Sequence, residues 1–179
     1  KALLEAVRSR RLDMVTLLLD HGANVNSVHL SWVFDCGNSQ IMRLFINRGA
    51  DPTKDDVLAD SLCCHAIKPL VGIYKTYNEK IPGLQRQIDI ALCHHAKEGH
   101  IGSVCLLLWA GANPRAKVPE LGRNEDWTST ALDEAILWSR IDIVDKIGID
   151  PEKDDLNELL DSAITAHHPD LVRKIILLG

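Results

Sequence analysis

The chain has 179 residues, of which 46% are hydrophobic and 25% charged, and its formal net charge is −5. These fractions are those of an ordinary globular protein, and the length is enough to bury a hydrophobic core, so they exclude a wholly disordered chain. The acidic balance gives no general basic surface for a phosphate backbone, so we expect no nucleic-acid partner. No apolar run approaches the roughly 18 residues of a membrane span, and no signal peptide is recognised, so we expect no membrane attachment.

The five cysteines are an odd number, and they form no regular framework. Such usage is more typical of a reducing compartment than of a secreted protein stabilised by disulfides. We therefore expect an intracellular, cytoplasmic protein.

The first two segments of the chain, residues 1–26 and 27–53, each predict two helices followed by a turn. They end in the similar strings His-Gly-Ala-Asn and Arg-Gly-Ala-Asp, whose glycines, Gly22 and Gly49, are 27 residues apart. Glycine supplies the left-handed residue that follows many helices. The second helix of the first segment carries apolar residues at helical spacing, at Leu12, Val15, Leu18 and Leu19. A helical pair with its exit turn is thus repeated.

The third segment, residues 54–83, departs from this pattern because it has neither a Gly-His turn between its helices nor a Gly-Ala-Asp exit turn after them. Asp55 or Asp56 can cap a helix over residues 57–66, and Pro69 suits the first position of a helix that continues to about Tyr77. We interpret this segment as a degenerate helical pair whose register the sequence leaves open between residues 54 and 88.

The pattern returns in residues 84–115, with a first helix predicted over residues 86–97. Gly-His at 99–100 precedes a second helix with apolar residues at helical spacing, and Gly111 follows the end of that helix.

Residues 116–151 and 152–179 complete the series. About seven extra residues enlarge the connection over residues 115–129, and Thr130 starts the next pair of helices. In the last segment Asp155 is placed to cap a helix and Pro169 to open the final one.

The Gly-His turn, the paired leucines of the second helix and the Gly-Ala-Asn or Gly-Ala-Asp exit resemble the ankyrin-repeat family over nearly the whole chain. The resemblance implies an all-α solenoid, a single domain of about six helix–turn–helix repeats with no sheet beyond short hairpin turns. It also implies a curved array with projecting loops, which acts as a binding scaffold without chemistry of its own. We number the six segments above as repeats one to six.

The sequence contains only four tryptophans, so their positions are informative. In the family, the variable positions of first helices and the loops line a concave binding surface, and tryptophan is common among the residues that dominate protein interfaces. We therefore expect another protein to bind there, through Trp32, Asp35, Trp127, Glu134, Leu137 and Trp138. Alternatively, these tryptophans fill space near irregular repeats or pack the long loop. The acidic residues of this region, which include Glu125 and Asp126, favour a basic or mixed partner surface, whereas Trp109 lies on an outward position of a second helix.

No catalytic signature is present, so we expect neither enzymatic activity nor a cofactor. An alternative is that the chain recruits substrates for a larger enzyme or effector whose catalytic segment lies elsewhere. The Cys63-Cys64-His65 and Cys93-His94-His95 clusters, with His100, raise the question of zinc. Adjacent residues on a helix diverge, however, and Cys-x-x-Cys pairs are absent, so we expect these side chains to serve the core and turns and to bind no metal.

The last helix carries more apolar residues than the end of a solenoid usually exposes, at Leu171, Val172, Ile175, Ile176, Leu177 and Leu178. We expect self-association, further chain or a partner to cover it.

Overall fold

The computed structural model of the protein describes residues 1–64, 67–121 and 127–179. In these ranges the chain forms twelve α-helices and one short hairpin, which confirms the predicted all-α fold. The helices are α1 Ala2–Arg8, α2 Leu12–Asp20, α3 Leu30–Asp35, α4 Ser39–Asn47, α5 Val57–Cys64, α6 Ile67–Tyr77, α7 Leu84–Glu98, α8 Ile101–Ala110, α9 Ala131–Leu137, α10 Ile141–Ile147, α11 Leu156–Thr165 and α12 Pro169–Ile176. Strands β1 (Val118–Pro119) and β2 (Thr128–Ser129) pair antiparallel, and short 3-10 helices cover Val25–Ser27 and Lys54–Asp56.

The chain divides into two compact parts, residues 1–88 and residues 89–179, which we call the N-terminal unit and the C-terminal unit. In the N-terminal unit, α1, α3 and α5 pack in series as the first helices of their repeats, and α2, α4 and α6 do the same as the second helices. Apolar side chains between the two rows, among them Val33, Phe45 and Leu58, are fully buried.

In the C-terminal unit, α8 packs against α10, α9 contacts both α10 and α11, and α11 pairs with α12. Leu107 of α8 and Ile143 of α10 are fully buried. The core of this unit is therefore also made of aliphatic residues that face neighbouring helices.

Several predicted helix ends are confirmed. Gly111 follows α8 with a φ of 111°, a conformation that glycine adopts without strain. The Asp155 side chain accepts hydrogen bonds from the backbone N–H groups at the start of α11, and Pro169 opens α12. Thr130 and Asp133 form a reciprocal capping box at the start of α9. These caps fix where the first helices of the last two repeats begin.

Repeat three is a helical pair, but one detail of its prediction is wrong. Helix α6 begins at Ile67, so Pro69 occupies its third position instead of its first. Proline is tolerated there because the N–H groups of the first turn have no partner within the helix. Asp56 lies in a 3-10 helix with a φ of 52° and accepts hydrogen bonds from Arg86 Nη1 at 2.5 Å and Gln87 Nε2 at 2.6 Å. Its carboxylate thus binds side chains of α7, and the capping of α5 by Asp55 or Asp56 stays a prediction.

Polar side chains tie repeat three to its neighbours where the usual turn motifs are missing. The buried Gln87 side chain accepts a hydrogen bond from the backbone N–H of Ala59 at 3.1 Å. The Tyr77 hydroxyl donates to Asn47 Oδ1 at 2.8 Å, which joins α6 to α4. Buried polar groups need such partners, and here the partners come from adjacent repeats.

Candidate binding surfaces

The six residues predicted to bind a partner fall into two groups, one in each unit. Trp32 and Asp35 lie on α3 of the N-terminal unit, whereas Trp127, Glu134, Leu137 and Trp138 belong to the C-terminal unit. All three tryptophans are well exposed, at 44% for Trp32, 74% for Trp127 and 49% for Trp138. Each unit therefore presents its own candidate surface.

On the N-terminal unit, a cation covers part of the Trp32 indole. The guanidinium carbon of Arg8, on α1, lies 4.7 Å from the ring centroid. Such a contact is a cation–π interaction, which contributes about 0.5–1 kcal/mol at an exposed site. Arg8 also lies 3.9 Å from the Glu5 carboxylate. Trp32 is thus held against the preceding repeat and still exposes a large part of its ring.

On the C-terminal unit, two polar contacts hold Trp138, the residue that follows α9. Its indole Nε1–H donates a hydrogen bond to Glu134 Oε2 at 3.0 Å. The Lys97 ammonium, on α7, lies 5.2 Å from the ring centroid and forms an ion pair with Glu120, which follows β1. The orientation of this exposed indole is therefore fixed by side chains of three different segments.

Glu134 connects the same surface to the hairpin and to the core. Its Oε1 accepts a hydrogen bond from Ser129 Oγ at 2.7 Å, and Ser129 Oγ lies 3.5 Å from Cys93 Sγ. Burial raises the pKa of Cys93 to about 11, which the carboxylates of Glu134, Asp133 and Glu120 reinforce and the hydrogen bond with Ser129 opposes. The thiol is therefore protonated at neutral pH and is neither a nucleophile nor a ready metal ligand.

Sequence reasoning did not find Arg8, Lys97, Glu120 or Ser129 as parts of these surfaces. In both units the cation over the tryptophan comes from the first helix of the preceding repeat. The signal that could have found Arg8 and Lys97 is a basic residue near the end of one first helix together with a tryptophan on or directly after the next first helix.

Trp127 and Leu137 are the other two exposed apolar residues that were predicted to bind a partner in the C-terminal unit. Trp127 directly precedes β2, and Leu137, at the end of α9, is 41% exposed. Glu125 and Asp126, the acidic residues predicted beside them, lie outside the described residues.

The histidines of repeat four face each other. The buried His95 ring approaches His100 with an Nδ1–Nδ1 distance of 3.1 Å, so the two rings lie within hydrogen-bonding distance of each other. Burial lowers the pKa of His94, which disfavours its charged form. Within residues 1–64, 67–121 and 127–179, no three His, Cys, Asp or Glu side chains are grouped as metal ligands. His65 lies outside the described residues.

Two other apolar regions are exposed. Trp109, on α8, is 67% exposed and points outward as predicted. At α12, Ile176 and Leu177 are 60% and 80% exposed beside a groove of about 620 Å³ lined also by Ile164 and Val172. This exposure agrees with the apolar composition of the last helix. Its coverage by self-association, further chain or a partner stays a prediction.

Comparison with known proteins gives a sequence match and a structural match. Residues 2–30 match the family model described as ankyrin repeat. The structure is similar to a crystal structure of the human ASB11 ankyrin repeat domain, with a TM-score of 0.60 and 21% sequence identity. The similarity covers 100% of this chain and 84% of the chain in that crystal structure. No curated protein gives a significant match. In the described part of the chain, none of the helices combines the length and the apolarity that crossing a bilayer requires.

Proposed function

We propose that this ankyrin-repeat chain is a scaffold that binds another protein, with Trp138 at the centre of the contact. Ankyrin repeats are generally protein–protein interaction modules, and their fold is typically a non-catalytic scaffold. The proposed surface of the C-terminal unit consists of Trp127, Glu134, Leu137 and Trp138. Trp32 and Asp35 form a second, separate contact on the N-terminal unit.

The observation that carries this proposal is an indole that is fixed and exposed at once. Trp138 exposes 49% of its surface although Glu134 and Lys97 hold it in place. An exposed tryptophan forgoes the free energy that burial of its ring provides, about 25 cal/mol per Å² of apolar surface. A partner that covers this ring gains that energy and pays little entropy to order the side chain, because its orientation is already set.

The neighbouring residues extend the same surface. Leu137 and Trp127 add apolar area, and Glu120 and Glu134 supply carboxylates at its edge. A protein interface usually has large apolar side chains at its centre and polar residues at its rim. The alternative that these tryptophans only fill space requires them to be covered, and each remains at least 44% exposed.

The test uses partners captured from the source cell and then purified. Trp138→Ala is expected to weaken the affinity for such a partner by about 30-fold, the effect of losing about 2 kcal/mol at an interface hot spot. Trp32→Ala tests the second contact. Isothermal titration calorimetry measures the dissociation constant of each variant.

Trp109→Ala is the matched control, because Trp109 is still more exposed but lies on the second helix of its repeat. Its affinity is expected to equal that of the unsubstituted chain. If Trp138→Ala and Trp32→Ala both retain the original affinity with intact helical content, the proposed surfaces are wrong.

A further inference from the structure

We infer that the surface at Trp138 recognises an arginine side chain of a basic partner segment, its guanidinium lying against the indole and the Glu134 carboxylate. The inference rests on the proposed function and specifies which chemistry the same surface recognises. Three observations on the C-terminal unit support it, namely the hydrogen bonds of Glu134, the charges around it and the exposed indole. They also disfavour other classes of partner.

The described hydrogen-bond partners of the Glu134 carboxylate are both neutral. Oε1 accepts from the Ser129 hydroxyl at 2.7 Å and Oε2 from the Trp138 indole at 3.0 Å. Within the part of the chain that the structure describes, no cation pairs with this carboxylate at ion-pair distance. Each carboxylate oxygen can accept a further hydrogen bond, so Glu134 retains capacity for a charged donor.

The surroundings of Glu134 are acidic. Glu120 reaches the same surface from the hairpin, and Asp133 precedes Glu134 on α9, where its carboxylate is held in the capping box with Thr130. The nearby cations are committed elsewhere, since Lys97 pairs with Glu120 and the Arg140 Nε–H donates to the Lys97 carbonyl oxygen at 2.9 Å. Burial is the main cause of the raised pKa of the adjacent Cys93 thiol, and the carboxylates of Glu134, Asp133 and Glu120 add to it.

The Trp138 ring already accommodates a cation. The Lys97 ammonium lies 5.2 Å from its centroid, and about half of the residue remains exposed. A planar guanidinium can stack on an indole and donate to a neighbouring carboxylate at the same time, whereas an ammonium acts as a point charge. The side-by-side arrangement of Trp138 and Glu134 therefore favours arginine over lysine.

An acidic partner segment fits this surface poorly. It would bring further carboxylates against Glu120 and Glu134, and like charges at an interface are unfavourable. A wholly apolar segment would cover the unpaired carboxylate of Glu134 and remove its hydration without compensation. A segment with a guanidinium at this position satisfies the ring and the carboxylate together.

The test uses two blocked pentapeptides, Ac-Ala-Leu-Arg-Leu-Ala-NH2 and the same peptide with citrulline in place of arginine. Citrulline keeps the shape of the side chain but carries no charge. Nuclear magnetic resonance follows the indole Nε1–H signal of Trp138 during titration. The arginine peptide is expected to shift this signal with a dissociation constant in the millimolar range, and the citrulline peptide to bind about tenfold more weakly.

Glu134→Gln removes the negative charge and is expected to abolish the preference for arginine. Glu79→Gln, an exposed glutamate of the N-terminal unit, is the matched control and should retain it. Equal affinity for the two peptides, or no shift of the Trp138 signal with the arginine peptide, overturns the inference. The failure of the proposed function is distinguishable, because it requires partner affinity to be unchanged by both Trp138→Ala and Trp32→Ala.

Discussion

Replacement of Phe45 by alanine is expected to lower the free energy of unfolding by about 3–5 kcal/mol. Phe45 is fully buried on α4, a helix that packs against α2, α3 and α6. Its removal loses the transfer free energy of the ring and leaves a cavity that the surrounding helices fill only in part. Urea denaturation followed by circular dichroism measures the loss, and hydrogen exchange is expected to locate it in residues 1–88.

The control for this experiment is Leu17→Ala on α2. Leu17 is 51% exposed, so its truncation removes far less buried area, and we expect a change of about 0.5 kcal/mol or less. Similar losses for Phe45→Ala and Leu17→Ala would contradict the assigned core of the N-terminal unit.

Replacement of Arg115 by methionine is expected to lower the free energy of unfolding by about 2–3 kcal/mol. The guanidinium binds Asp154 through both carboxylate oxygens, at 2.6 and 2.8 Å, and also donates to the Gly148 carbonyl oxygen at 2.9 Å. The Asp154 side chain is only 5% exposed. Without Arg115, this buried carboxylate keeps the backbone N–H of Asp150 as a donor but loses its charged partner.

A double-mutant cycle isolates this contribution. In an Asp154→Asn background, Arg115→Met should lower the free energy of unfolding clearly less, because no buried charge is left unpaired. Lys117→Met provides the surface control, since Lys117 and Glu158 lie 3.7 Å apart and are both more than 60% exposed. It should change the stability by about 0.5 kcal/mol or less. An equal cost of Arg115→Met in the two backgrounds would show that the ion pair is not the cause.

The helices and their ends could be predicted because they depend on neighbouring residues. Apolar spacing located α8, and Gly111, Asp155 and Pro169 marked helix ends at the positions observed. The start of α6 in repeat three was harder to predict, because the neighbouring proline does not mark a single position. Proline is compatible with each position of the first turn, so Pro69 could not fix where α6 begins.

The exposure of Trp32 and Trp138 could also be predicted, because the repeat pattern places them away from the core. Their partners could not. Arg8 contacts Trp32 across 24 residues of sequence and Lys97 contacts Trp138 across 41. The insertion and the shortened turns change the spacing from repeat to repeat, so no fixed interval connects cation and ring. The division of the six predicted residues between two units likewise depends on packing.

The proposal that a partner covers the surface at Trp138 is tested most directly by hydrogen exchange of the chain with and without its bound partner. We expect binding to slow exchange in residues 94–98, 118–121 and 127–138, which carry Lys97, Glu120 and Trp138. Slower exchange confined to residues 101–110, the second helix that carries Trp109, would contradict the proposal.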